Sequence, residues 1–201
     1  MRIGILGNGP SLMLDSSRYL DLDYLLITNR LIWEDFRNWN SSLKYVCSDQ
    51  RFGNSPEWIS EVLHNEIETF LSDELYNIIW DLYQGTRIIS YSDLGSNSIL
   101  KSFKIKFPLL QDFKANVVLD LGIPVALHLG ATDIVLFGCD FDYMIWKTTD
   151  RPKYYSGYKA RGANFEHSLG SARSWSDESN IRFQQMEDFL RNFGINLRNG
   201  N

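Results

Sequence analysis

Arg2-Ile3-Gly4-Ile5-Leu6, followed directly by Gly7-Asn8-Gly9-Pro10-Ser11-Leu12, is a short apolar run that breaks into a Gly-Asn-Gly-Pro-Ser turn. A brief apolar run bounded by turn signals reads as a buried strand of a parallel sheet. The two glycines permit backbone angles and approach distances that a Cβ forbids, so the loop is suited to lie close against a ligand. Pro10 lacks an N–H and suits a first helical turn. That predicts an open helix N-terminus after the loop, with free N–H groups that favour an anion, phosphate above all. An ordinary connection without ligand is the alternative. Asn8, able both to donate and to accept, favours the ligand.

Outward from this stretch, further short apolar runs alternate with helical periodicity. Asp23–Thr28, Lys44–Ser48, Arg87–Tyr91, Asp133–Gly138 and Ile195–Leu197 read as strands. Leu31–Asn40, Glu57–Leu71, Ser72–Leu82 and Ile181–Phe193 read as helices. Ile99–Lys106 fits either, and a helix over Ala115–Leu129 is interrupted by Gly122 and Pro124. The alternation predicts an α/β fold, a doubly wound and mostly parallel sheet in one Rossmann-like domain spanning 1–201. Residues 144–174, rich in Tyr, Lys, Arg, Gly and Ser, read as an irregular lid within it.

The 201 residues are 44% apolar and 22% charged with a formal charge of −5, which argues against general nucleic-acid affinity. No apolar run reaches the ~18 residues that span a bilayer. Cys47 and Cys139 fall in apolar strands and read as small core residues of a reducing compartment. With a strand at the very start in place of a leader, the expected location is cytoplasmic. Self-association stays open.

Ligands of open α/β sheets lie beyond the carboxyl ends of the strands. Here those ends present Asn8, Asn29, Asp49, Ser90 or Ser92, and Asp140 with Asp142. Each alone suits backbone capping; five strand ends together suit a nucleotide. The first loop is no nicotinamide fingerprint, because Leu12 stands where a third glycine is required, and no Gly-Lys-Ser/Thr follows to make a P-loop. Asp140-Phe141-Asp142 could hold a divalent cation against a diphosphate, or one aspartate could cap the next segment. His167, in Glu166-His167-Ser168 among the lid tyrosines, is the candidate to take a proton from a hydroxyl nucleophile. His64 and His128 read as helix residues.

Gly7-Asn8-Gly9-Pro10-Ser11-Leu12, then Asn29 with Trp33-Glu34-Asp35, resembles the start of the bacterial sialyltransferases of glycosyltransferase family 42. The resemblance resumes at Leu129-Gly130-Ala131-Thr132-Asp133-Ile134 and Leu136–Phe141, then at His167-Ser168 and the closing helix and strand. It implies a variant GT-A domain that binds CMP–sialic acid without a metal cofactor and transfers the sugar, with inversion, to a hydroxyl of a glycan or small-molecule acceptor. Asn8, Gly9, Ser11 and Asn29 would hold the nucleotide. Asp49 stands where the family has an asparagine. His167 would match the catalytic base, and Tyr143, with Tyr154 or Tyr155, the phosphate-binding tyrosines.

Two departures pull elsewhere. The family's Ser/Thr-Ser-Gly turn is replaced by Val118-Leu119-Asp120, and Asp142 stands where a tyrosine is expected. Through Gly7-Asn8-Gly9-Pro10-Ser11 and Gly138-Cys139-Asp140 the chain also resembles the 6-hydroxymethylpterin diphosphokinase-like proteins, which would imply a nucleoside triphosphate and magnesium, with Asp49, Asp140 and Asp142 as ligands. A third alternative is a non-catalytic nucleotide-binding protein of the same fold.

Overall fold

A computed structural model of the protein describes residues 1–9, 11–13, 15–33, 36, 42–83, 85–108, 116–141 and 169–200; of 16 and 169–174 it describes the backbone alone. Seven parallel strands make one sheet: β1 (Arg2–Leu6), β2 (Tyr24–Thr28), β3 (Ser42–Cys47), β4 (Glu68–Leu71), β5 (Ile88–Ser90), β6 (Asp133–Phe137) and β7 (Asn196–Asn199). Their order is β5-β4-β3-β2-β1-β6-β7. The chain therefore winds outward from β1 to one edge, returns beside β1, and finishes at the other edge.

Strand alternation sends side chains to both faces, and both are covered. Ile3, Ile5, Leu26, Val46 and Phe70 pack in one core cluster with α3 (Ser98–Lys106), α4 (Ile123–His128) and α5 (Leu169–Arg191). Leu6, Leu25, Ile27, Tyr45 and Leu71 pack in the other with α1 (Pro56–His64) and α2 (Asp73–Ile79). Such two-sided burial is why the strands read as continuous apolar runs. The predicted doubly wound parallel sheet is the observed one.

Several local readings change. Among the described residues no α-helix opens after the first loop: the next element is a 3-10 turn, Ser16–Tyr19, capped by Asp15. The Leu12 N–H closes back on the Gly9 carbonyl at 3.1 Å and the Ser11 N–H is taken by Asp140. These two N–H groups are already engaged, so the described residues of the loop offer no free N-terminus for phosphate; Pro10 lies outside them. The helix expected over Leu31–Asn40 is a 3-10 turn, Asn29–Trp33, beyond which only Phe36 is described before Ser42.

The single helix expected over Glu57–Leu71 splits. α1 ends at His64, Asn65 is extended, and Glu68–Leu71 becomes β4. Ile67 and Phe70 happen to continue the helical spacing, and a short apolar run carries no periodicity that separates strand from buried helix. Ile99–Lys106 falls in α3, begun by Asn97, whose side chain accepts from the Leu100 N–H at 2.7 Å. The interrupted stretch is a π-helical turn, Val117–Gly122, running into α4. Pro124 has no N–H for the Asp120 carbonyl, and the Ile123 N–H reaches Val118 O instead, five residues back. α5 begins at Leu169, inside the span read as lid.

Candidate functional site at the carboxyl edge of the sheet

Where the winding reverses, β1 and β6 lie side by side and their following loops form the crevice in which open α/β sheets bind ligands. Here the two loops are bonded to each other. The Gly7 N–H donates to Phe137 O and the Gly9 N–H to Gly138 O, each at 2.7 Å, and the Ser11 N–H donates to Asp140 Oδ2 at 3.2 Å. The glycines are required by this contact: a Cβ on Gly9 would stand 2.0 Å from Asp140 Oδ2 and 2.5 Å from Gly138 O. The close approach inferred from the glycines is thus satisfied by protein, loop against loop. Asp140 is engaged in holding the first loop, and Asp142 lies outside the described residues. Among the described residues no cluster of three His, Cys, Asp or Glu side chains could hold a metal.

One strand over, Asn8 sits in a fixed network. Its Nδ2 donates to Thr28 Oγ1 at 2.8 Å, and Thr28 Oγ1 donates on to Leu6 O at 2.7 Å. Arg30 closes the other side: Nε donates to Asn8 Oδ1 and Nη2 to Asn8 O, both at 3.2 Å. The amide orientation is therefore set, oxygen toward the guanidinium and nitrogen toward the hydroxyl. Arg30 is buried, only 6% exposed. Its charge stands at the strand ends that the sequence marked for a nucleotide, yet sequence reading passed over it. The available signal was a basic residue directly after the strand-end Asn29.

Asn29 has φ 49° and Phe141 φ 50°, the two non-glycine residues with positive φ among those described. Asn tolerates this region; for phenylalanine it costs about 1–2 kcal/mol. Phe141 is held there by burial against Phe183, ring centroids 5.6 Å apart. Both lie at strand ends of the carboxyl edge, where strain of this kind collects at functional sites. Asn29 Oδ1 is buried without a hydrogen-bond partner among the described residues, as is Ser11 Oγ.

Asp49 caps the 3-10 turn Gln50–Asn54, accepting the Arg51 N–H at 3.1 Å, and Arg51 clasps the same carboxylate through Nε at 2.7 Å and Nη2 at 2.6 Å. The negative charge at this strand end therefore carries its own cation. Cys47 and Cys139 are buried free thiols, pushed up in pKa by that burial and far from thiolate chemistry. His128 accepts from the Gly95 N–H at 3.0 Å and His64 bonds back to Ser60 O at 2.7 Å, both local structural contacts. His167, Tyr143, Tyr154 and Tyr155 lie outside the described residues.

The replaced turn holds a feature that sequence reading recorded only as a departure. Asp120, fully buried, pairs through both oxygens with Arg182 of α5 and accepts the Asn116 N–H at 2.8 Å. Burial holds its carboxyl above the usual range, with the Arg182 and Asn116 bonds pulling the other way. The π-helical turn that carries it packs on β1, β2 and β3. No described helix is long and apolar enough to cross a membrane.

No family model and no curated protein matches the chain. Solved structures do. The sialyltransferase CstII from Campylobacter jejuni, with the substrate analogue CMP-3FNeuAc, aligns with a TM-score of 0.55 at 20% identity, covering 98% of this chain and 79% of that one. The monofunctional alpha-2,3-sialyltransferase Cst-I from the same organism gives 0.57 at 16% identity, covering 98% and 74%. CST-II with CMP and a trisaccharide acceptor gives 0.54 at 18% identity, covering 99% and 80%. None of these findings supports the diphosphokinase-like resemblance. The likeness is one of fold: this chain takes, over almost its whole length, the α/β architecture of those sialyltransferases.

Proposed function

We infer that the protein is an inverting glycosyltransferase that takes a CMP-linked sugar, CMP–sialic acid foremost, and passes it to a hydroxyl of a glycan or small-molecule acceptor. The observation that supports it is the carboxyl edge of β1 and β2, with Asn8 fixed between Thr28 and Arg30 and, beside it, Asn29 Oδ1 buried with no partner among the described residues. It lies on a fold whose solved neighbours include complexes with CMP. Asn8, Gly9, Ser11, Asn29 and Asp49 would border the nucleotide, and Tyr143, Tyr154 and Tyr155 would hydrogen-bond the phosphate. His167 would accept the acceptor's hydroxyl proton as that oxygen attacks the anomeric carbon. The bond from that carbon to the phosphate oxygen breaks as the new one forms, and CMP leaves with the electron pair. Positioning and phosphate stabilisation supply the barrier reduction, several kcal/mol each.

The test is thermal stability with CMP, CDP, UDP, GDP and ATP, each with magnesium and with EDTA. CMP at a hundred times its Kd is expected to add ~2.7 kcal/mol, a Tm rise of roughly 5–10 °C for a domain of this size, in EDTA as in magnesium. Transfer from CMP–sialic acid should follow. Stabilisation by ATP with magnesium alone would replace this reading by the diphosphokinase, and CMP binding without turnover would leave a nucleotide-binding protein.

Arg30 gives a second check. Lysine keeps the charge but cannot fork onto Asn8 Oδ1 and Asn8 O together. Arg30→Lys is expected to weaken CMP about tenfold, the value of one charge-assisted hydrogen bond, as read by calorimetric titration. Unchanged affinity would remove the Asn8 amide from the binding surface.

A further inference from the structure

Beyond β1 and β2 the carboxyl edge continues across β3 and β4, and two hydroxyls there are unexplained by folding. Ser48, directly after β3, is 6% exposed and Ser72, directly after β4, is 2% exposed. Neither Oγ has a hydrogen-bond partner among the described residues. The two stand on adjacent strands: Cys47 is in register with Leu71, and the Ser72 N–H donates to Cys47 O at 3.0 Å. Ser72 also occupies the N-cap position of α2 with extended backbone, yet its hydroxyl caps nothing. A serine there normally bonds an N–H of the first turn.

Leaving a buried hydroxyl unpaired costs stability, and alanine would fill either position without that cost. Unpaired buried polar atoms in a folded protein ask for a partner that the chain alone does not provide. Asn29 Oδ1, directly after β2, is in the same condition. Three neighbouring strands thus end in polar oxygens without a partner among the described residues, in a line leading away from the β1 and β6 crevice. At ~4.8 Å per strand, Ser48 and Ser72 lie about 10 and 14 Å along the edge from β1. A sugar carried on a nucleotide bordered by the ends of β1, β2 and β3 reaches that far.

We propose that Ser48 and Ser72 form a subsite that hydrogen-bonds hydroxyls of the transferred sugar, separate from the groups that hold the nucleotide. A hydroxyl both donates and accepts, so it pairs with a sugar hydroxyl of either sense. Neither oxygen is exposed in the free protein, so entry of the sugar requires displacement of what covers them. The subsite rests on the nucleotide-sugar reading, and the test separates the two. Kd is measured calorimetrically for CMP and for an untransferable CMP–sialic acid analogue, on wild type, Ser48→Ala and Ser72→Ala, together with Tm.

In wild type the sugar should tighten binding over CMP alone. In each variant that gain should fall roughly threefold to tenfold, one neutral hydrogen bond, with CMP affinity unchanged and Tm equal or higher. An unchanged gain overturns the subsite and leaves the nucleotide reading standing. A lowered Tm overturns it too, because the hydroxyl would then have a structural partner. Wild type that binds neither compound sinks the nucleotide-sugar reading and the subsite with it.

Discussion

His167→Ala is expected to lower sugar transfer by about 10²–10⁴-fold, the contribution of a positioned general base, while CMP affinity stays within a few-fold. The separation follows from where the groups come from. The nucleotide is assigned to residues at the ends of β1, β2 and β3, whose geometry is fixed by their own bonds: Asn8 by Arg30 and Thr28, Asp49 by Arg51. None of those bonds involves the imidazole. A base that only takes the acceptor proton contributes to the transition state and not to nucleotide affinity. The rate in wild type should also fall on the acid side as an imidazole protonates, and this limb should vanish from the residual activity of the variant. Loss of CMP binding in parallel with activity would make His167 a binding or folding residue and remove it from the proton transfer.

What the sequence disclosed and what it withheld divide along physical lines. The strands were legible because burial on both faces leaves runs such as Leu25-Leu26-Ile27 and Ile134-Val135-Leu136 without polar interruption. β4 was not, because four residues carry no periodicity of their own and Phe70 fell in phase with α1. Asn8, Asn29 and Asp49 could be placed at strand ends from the runs before them. Their partners could not: Arg30 reaches back across a strand, and Arg51 satisfies the carboxylate of Asp49 only because a 3-10 turn folds it there. The first loop shows the same limit. Its glycines signalled close approach correctly, but the partner is the Gly138–Asp140 loop, 129 residues away at Ser11 and Asp140, and no local pattern announces that.

Arg182→Met should be the most destabilising of the substitutions considered. It leaves the carboxylate of Asp120, itself without exposure, with the Asn116 N–H as its remaining described partner. Removing one member of a buried pair costs about 3–5 kcal/mol, which for a domain of this size lowers Tm by roughly 6–20 °C. The Arg182 side chain is 16% exposed, so most of its screening by water is already lost. Replacing both partners, Asp120→Leu with Arg182→Met, should recover much of the loss, since a buried pair is often matched by apolar groups of similar volume. The pH dependence fixes the cause. Burial already holds the Asp120 carboxyl above its unfolded value, and without the guanidinium it rises further. A folded-state carboxyl with a raised pKa binds its proton more tightly than the unfolded chain does. Its contribution is therefore intact below the unfolded value and is lost as pH rises through the folded one. Arg182→Met should accordingly lie closest to wild type near pH 4 and fall behind steadily toward pH 8, as followed by Tm across that range. A deficit independent of pH would assign the loss to packing between α5 and the π-helical turn, and would mean that the carboxylate does not depend on Arg182 for its charge.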